Sequence, residues 1–291
     1  MHNITKLVFE GGGVKGIAYA GVLQVFEQKG VLQNVDGVAG TSAGAITACL
    51  LSLRYSAADI KTLIGQVDFG SFADHENLLH KYHYYGMHPG DTFLDWLKQC
   101  IKNKGLSEDA TFQDFHNAHC LDLKVYSCDI NARQLQEFSL QETPTVIVAE
   151  AVRASMSIPL YFNAWQFPSG NPNNHLFVDG GMVYNYPIFA FSDGEVIDWS
   201  VLGFRLEDVH SVRHPVKFGY GEWMEYVKNT FETLMEAQSF IYERDPEQVE
   251  RTVVIDDLGV SSTDFDITEA QKQALFDSGV AAATGYFAAA K

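Results

Sequence analysis

The sequence predicts an α/β fold in which a mainly parallel central sheet is flanked by helices. Three observations predict it. Leu7-Val8-Phe9 is a short apolar strand that ends in Gly11-Gly12-Gly13 and gives way to a helical pattern. The segment from Val35 to Ala39 repeats the arrangement, ending in Gly40-Thr41-Ser42-Ala43-Gly44 ahead of an apolar helical run. A later strand, Leu176-Phe177-Val178, ends in Asp179-Gly180-Gly181. Strands that alternate with helices in this way build parallel sheets.

The first helix is expected over residues 14–29. Val14, Ile17, Ala18, Gly21, Val22, Val25 and Phe26 share one face at helical spacing, and Gly30 closes it. Ser56 opens another helix, with Asp59 three places on as a capping box. Residues 68–89 are less regular and rich in Phe69, Phe72, Tyr82, Tyr84, Tyr85, His75, His80, His83 and His88. Asp91 caps a helix through residue 101. Residues 123–129 and 134–139 read as strands joined by a turn at Asn131 and Ala132. Pro144 starts a helix that reaches residue 156. A strand at 200–204, a long helix at 220–242 and a strand at 252–255 follow. Thr268 with Gln271 caps the final helix. The whole chain, 1–291, is expected to form one domain: a motif-bearing core over about 5–206 and a C-terminal extension over about 207–291.

The chain carries 20 basic and 37 acidic residues, a formal charge of −17. Such acidity argues against a nucleic-acid partner, because phosphate contacts need clustered Lys and Arg. On an anionic membrane, apolar and aromatic contacts would have to do the attaching. Cys49, Cys100, Cys120 and Cys128 form no C-x-x-C pair, and Cys49 reads as a small core residue. Residues 1–6 lack the pattern of a secretory signal, and no apolar run approaches the roughly 18 residues that span a bilayer. The expectation is a protein without a transmembrane anchor, cytoplasmic or exported without a cleavable signal.

The chemistry concentrates at the three glycine turns. Gly40-Thr41-Ser42-Ala43-Gly44 has the G-x-S-x-G form of a nucleophile elbow, in which a sharp strand-to-helix turn exposes the serine oxygen. The next helix points its N-terminus at that serine and favours negative charge there. A serine needs a base, and Asp179 would accept its proton if burial raised its pKa. The N–H groups of Gly12 and Gly13 suit an oxyanion, with Ala43 as a third donor. Lys15 would strengthen the positive field, whereas Glu10, just ahead of the glycines, would oppose it unless it turns away or pairs with Lys15.

The motifs in this order resemble the patatin-like phospholipase family. The similarity covers Gly11-Gly12-Gly13-Val14-Lys15-Gly16, then Gly40 to Gly44 around Ser42, then Asp179-Gly180-Gly181. Arg153-Ala154-Ser155-Met156-Ser157-Ile158-Pro159 also looks like the segment the family carries upstream of its catalytic aspartate, and the tail from Phe265 through Gly279 is similar to bacterial members. The resemblance implies a patatin-like Ser-Asp hydrolase fold that cleaves lipid acyl esters. Ser42 would be the nucleophile, Asp179 the base, and the backbone of Gly11, Gly12 and Gly13 the oxyanion cradle, with an acyl-serine intermediate. It implies no metal or other cofactor. The partner is a lipid substrate at a membrane or micelle surface; nothing in the motifs specifies a protein activator.

Three other readings fit parts of the sequence. Gly11, Gly13 and Gly16 also match G-x-G-x-x-G, but Asp36 stands at the start of the second strand, whereas a dinucleotide site needs its acid at the end. A Ser-His-Asp hydrolase would draw its base from His175, His210 or His214. A catalytically silent lipid- or protein-binding module could keep the same fold. Metal ligation by His75, His80, His83 and His88, or by His116, His119 and Cys120, lacks convincing ligand spacing. The aromatics of residues 69–96 suit packing against the sheet, an acyl pocket or a lid, and Trp223, Met224, Val227 and Phe231 on the long helix suit a core face or lipid contact.

Overall fold

A computed structural model describes residues 3–66, 85–192, 196–209, 219, 223–242 and 244–289. Leu7, Val8 and Phe9 are fully buried in strand β1 (Lys6–Phe9). A 3-10 turn at Gly13–Gly16 leads into α1 (Ile17–Gln28), and β2 (Gly37–Thr41) passes directly into α2 (Ala43–Ser52). Ser56 caps α3 (Ala57–Gly65) in a reciprocal box with Asp59. Then come β3 (Gly86–His88), α4 (Asp91–Asn103), α5 (Phe112–Asn117), β4 (Asp122–Asp129), β5 (Gln134–Phe138) and α6 (Val148–Ser155). The chain continues through β6 (Leu160–Phe162), β7 (Phe177–Asp179), β8 (Val201–Glu207), α7 (Trp223–Tyr242), α8 (Pro246–Glu250), β9 (Thr252–Asp256) and α9 (Glu269–Ala289).

The central sheet has the order β5-β4-β2-β1-β8-β9, with β7 also paired to β4. The pairs β4–β2, β2–β1, β1–β8 and β8–β9 are parallel, so the sheet is mainly parallel as predicted. β3 and β6 form a separate parallel pair.

The two edges of β4 position the site. β5 runs antiparallel along one edge, from Val125 opposite Phe138 to Asp129 opposite Gln134. On the other edge β2 pairs as far as Thr41 opposite Tyr126. Beyond that point β7 takes over in the opposite direction, with Phe177 against Asp129 and Asp179 against Ser127. β2 and β7 therefore run toward each other along one edge of β4 and end head to head, so Ser42 and Asp179 meet. The sequence reading placed Asp179 at the end of a parallel strand. The location is right, but the strand is antiparallel.

Helices cover the sheet. α1 is buried on nearly all sides because α9 and α3 pack against it. The α1–α9 crossing is close: a side-chain carbon on Gly21 would fall 2.1 Å from the carbonyl of Phe276, and one on Gly279 would fall 1.9 Å from that of Ala18. Phe231 and Met235 of α7 are buried. The four cysteines are free thiols, Cys49 fully buried. Among the described residues, no helix is long and apolar enough to cross a membrane.

Two predicted helix starts shift. Gly90, at φ 73°, is the cap of α4, and Asp91 is its first residue. The helix expected from Pro144 begins only at Val148, because residues 144–147 are engaged elsewhere. The carbonyls of Pro144 and Val146 accept the first N–H groups of α5, from Gln113 and Phe112. Those donors have no partner within their own helix.

Candidate active site

Ser42 takes φ 52°, ψ −122° between β2 and α2, a strained backbone for a residue with a side chain. Its neighbours leave it no alternative. A side-chain carbon on Gly44 would lie 2.2 Å from the carbonyl of Phe9, and one on Gly40 would lie 2.3 Å from the backbone of Gly44. A further clamp comes from α6. The N–H of Ser42 donates to Ser155 Oγ at 2.9 Å, and that hydroxyl donates to the carbonyl of Tyr126 at 2.5 Å. Ser155 thus links the elbow to β4.

Ser42 Oγ donates to Asp179 Oδ2 at 2.7 Å. The other carboxylate oxygen, Oδ1, accepts the N–H of Gly181 at 2.7 Å, which fixes the plane of the group. The chain folds back tightly after the acid, since a side-chain carbon on Gly180 would fall 2.4 Å from the carbonyl of Tyr126. Ser42 is 5 % exposed and Asp179 fully buried. Burial raises the Asp179 pKa from 3.8 to about 7, against the lowering effect of the bonds from Ser42 and Gly181.

The glycine run stands over the elbow. A side-chain carbon on Gly11 would lie 3.3 Å from Ser42 Cβ, and one on Gly16 would lie 3.0 Å from Ala43 Cβ. The N-terminal ends of α1, through its 3-10 turn, and of α2 are therefore side by side at Ser42. The N–H of Gly11 donates to the carbonyl of Asn185 at 3.0 Å. Among the described residues, no acceptor is bonded to the N–H of Gly12, Gly13 or Ala43.

Glu10 turns away from this cradle. Its carboxylate accepts the Leu206 N–H at 2.9 Å and Asn185 Nδ2 at 3.3 Å, and Arg205 Nε stands 3.7 Å away. Burial raises its pKa, with Arg205 the largest opposing influence. Lys15 pairs with Asp257 at 2.8 Å rather than with Glu10.

A family model described as patatin-like phospholipase matches residues 7–192. The chain belongs to the patatin-like phospholipase family. The matched span holds the glycine run, the serine elbow and the Asp-Gly-Gly turn. The uncharacterized protein YqhO of Bacillus subtilis is 30% identical over 292 residues, covering 94% of each chain. A probable lipid hydrolase, 463L, of Invertebrate iridescent virus 6 is 25% identical over 193 residues, covering 62% of this chain and 61% of its own. Among solved structures, VipD from Legionella pneumophila matches with a TM-score of 0.70 at 18% identity, covering 99% of this chain and 67% of its own. At that identity the likeness is one of fold, and the patatin-like fold is the one predicted.

The other sequence-predicted residues separate clearly. His175 Nδ1 bonds Asp129 Oδ2 at 2.7 Å, four residues upstream of Asp179, and is not the partner of Ser42. His210 and His214 lie outside the described residues, as do His75, His80, His83, Phe69, Phe72, Tyr82, Tyr84 and the side chains of Trp223 and Met224. His88 packs on Tyr161, with ring centroids 4.7 Å apart. Two polar residues at the site, Ser155 and Asn185, had no role in the sequence reading. Ser155 stands within the segment Arg153 to Pro159. Its signal was a hydroxyl at the end of an apolar helix, which calls for a partner when buried.

Proposed function

We propose that the protein is a lipid acyl hydrolase that cleaves fatty-acyl esters of phospholipids or related lipids through the Ser42–Asp179 pair. The observation that carries this reading is the 2.7 Å bond between Ser42 Oγ and a carboxylate that burial holds at about pKa 7. A base with a pKa near the working pH is both available and strong enough to remove a hydroxyl proton. Family membership and the probable lipid hydrolase among the relatives support the lipid ester as substrate.

In the first half-reaction Ser42 Oγ bonds to the ester carbonyl carbon while its proton passes to Asp179. The carbonyl oxygen becomes an oxyanion facing the N–H groups of Gly12, Gly13 and Ala43. The positive ends of α1 and α2 add to their effect. Collapse breaks the bond to the alcohol, which leaves with the proton from Asp179, and an acyl-serine remains. Water then attacks the acyl carbon, gives its proton to Asp179, and the fatty acid departs as Ser42 recovers its hydrogen. Gly11, Gly16, Gly40, Gly44, Gly180 and Gly181 act by letting these segments approach. The test is fatty-acid release from a lipid panel by wild type, Ser42→Ala and Asp179→Asn. Both variants are expected to fold and to lose nearly all activity. Undiminished release by either removes that residue from its role.

A further inference from the structure

Helix α7 lies over the turn that follows Asp179. Its residues Phe231, Met235, Gln238 and Tyr242 recur at intervals of four, three and four, so they share one face. Phe231, Met235 and Tyr242 are buried. Met235 Sδ lies 3.1 Å from where a side-chain carbon on Gly181 would stand, so the helix rests directly on that turn. Gln238 is the polar member of the face, and it lies beyond the residues 7–192 that the family model matches.

Both ends of the Gln238 amide are engaged. Oε1 accepts the N–H of Asn185 at 2.8 Å. Nε2 donates to the carbonyl of Gly181 at 2.6 Å and to that of Leu234, one helical turn back, at 3.2 Å. These partners fix the orientation of the amide, because the flipped group would set oxygen against carbonyl and NH2 against N–H. Gly181 and Asn185 are four residues apart, the spacing of a helical bond. One step earlier that bond is made, with the Tyr184 N–H donating to the carbonyl of Gly180 at 2.8 Å. At the next step the amide of Gln238 stands between donor and acceptor and satisfies both, so the turn stops there.

Each partner leads on to one half of the site. Gly181 gives its own N–H to Asp179 Oδ1 at 2.7 Å. Asn185 grips Gly11 twice: its carbonyl accepts the Gly11 N–H at 3.0 Å, and its Nδ2 reaches the Gly11 carbonyl at 3.3 Å. One side chain from α7 therefore spans the supports of Asp179 and of the glycine cradle.

We propose that Gln238 is a positioning residue for the hydrolysis: its amide, inserted between Gly181 and Asn185, sets the base and the oxyanion cradle at their working separation. The inference rests on the lipid-hydrolase reading and adds α7 to the machinery of that site. Without the amide, the Gly181 carbonyl and the Asn185 N–H face each other unpaired and are expected to close into one more helical bond. That closure would draw Asn185 from Gly11 and turn the Gly181 N–H away from Asp179. Misplacing groups that act on the reacting atoms costs turnover more than binding.

The experiment measures kcat and KM for p-nitrophenyl butyrate from pH 5 to 9, so that kcat is read on its plateau. Gln238→Met fills the same space without donor or acceptor. Gln238→Glu keeps an acceptor for Asn185 but, once ionised, has no hydrogen for Gly181. The control, Ser52→Ala, removes a 2.8 Å bond to the carbonyl of Leu121 at the end of α2 remote from Ser42. Both Gln238 variants are expected to lower the plateau kcat by roughly tenfold or more with KM within about twofold. Ser52→Ala is expected to leave kcat unchanged, although it and Gln238→Met should each lower the melting temperature by roughly 2 to 4 °C. Hydrogen exchange of peptides covering residues 10–13 and 179–185 should quicken in Gln238→Met and not in the control. An unchanged kcat in Gln238→Met, an equal loss in Ser52→Ala, or unaltered exchange in both peptides overturns the inference. So does a Gln238→Glu plateau equal to wild type, which would leave only the effect of a nearby charge on Asp179. Failure of wild type to hydrolyse the ester, or hydrolysis that persists in Ser42→Ala, instead overturns the hydrolase reading, and the exchange data still decide whether Gln238 holds the two segments.

Discussion

Asp179 should make the protein less stable in order to make it active. Its carboxyl is fully buried, and its pKa stands at about 7 in the folded chain against 3.8 for an exposed carboxylate. Between those two values the folded state holds a proton that the unfolded state has released. Stability from this group is therefore complete below about pH 4, falls as pH rises, and is lost by about pH 7. The gap corresponds to about 4 kcal/mol. Asp179→Asn keeps the shape, can accept the Gly181 N–H and can donate to Ser42 Oγ, yet it never ionises. The variant is expected to be more stable than wild type by up to about 4 kcal/mol at pH 8, with the two converging toward pH 4. Urea unfolding of both proteins from pH 4.5 to 8.5 measures this directly. In the proposed mechanism the same proton controls turnover, since only ionised Asp179 can act as base. Wild-type kcat/KM should rise about tenfold per pH unit up to about pH 7 and then level off. A stability difference that does not grow with pH, together with activity flat from pH 5 to 8, would refute a buried base in this position.

Other consequences are simpler to check. Ser155→Ala leaves the Ser42 N–H and the Tyr126 carbonyl without their shared hydroxyl, so kcat should fall by roughly tenfold or more with KM little changed. Steady-state kinetics at saturating lipid decide it, and an unchanged kcat would show that the elbow holds itself. Arg153 is fully buried, bonded to Ser157 Oγ at 2.5 Å and to the carbonyls of Pro89 and Asn163, and lies 5.5 Å from the ring centres of Phe162 and Trp165. Arg153→Met should cost about 3 kcal/mol, a fall in melting temperature of roughly 5 °C by calorimetry; a change under about 1 °C would contradict the clamp. His175→Gln should leave fatty-acid release within about twofold of wild type, because the ring faces Asp129. A hundredfold loss would restore a histidine base.

The parts legible in the sequence were those whose chemistry is local. A buried apolar triplet, a glycine run and an elbow pentapeptide each specify a strand end and the start of a helix without distant information. The Ser56–Asp59 box worked for the same reason. Thr111 and Asp114 form an equal box at the start of α5 that the same reading could have found and did not. The features not legible depend on pairing across the chain. Nothing within Phe177–Asp179 says that it runs against β4 in reverse, and nothing near Pro144 says that its carbonyl is taken by Gln113. The hydrogen-bonded pair Ser42–Asp179 was legible as two residue types at two turns, while its geometry came from β2 and β7 ending against the same strand. Ser155 and Asn185 escaped because their partners lie 113 and 175 positions away in the chain.

The decisive measurement is mass spectrometry of the full chain after a fluorophosphonate probe, with the modified peptide sequenced. One adduct is expected, on Ser42, absent from Ser42→Ala and formed far more slowly in Asp179→Asn. Labelling that persists in Ser42→Ala, or that proceeds at the wild-type rate without the carboxylate, would contradict a serine activated by Asp179.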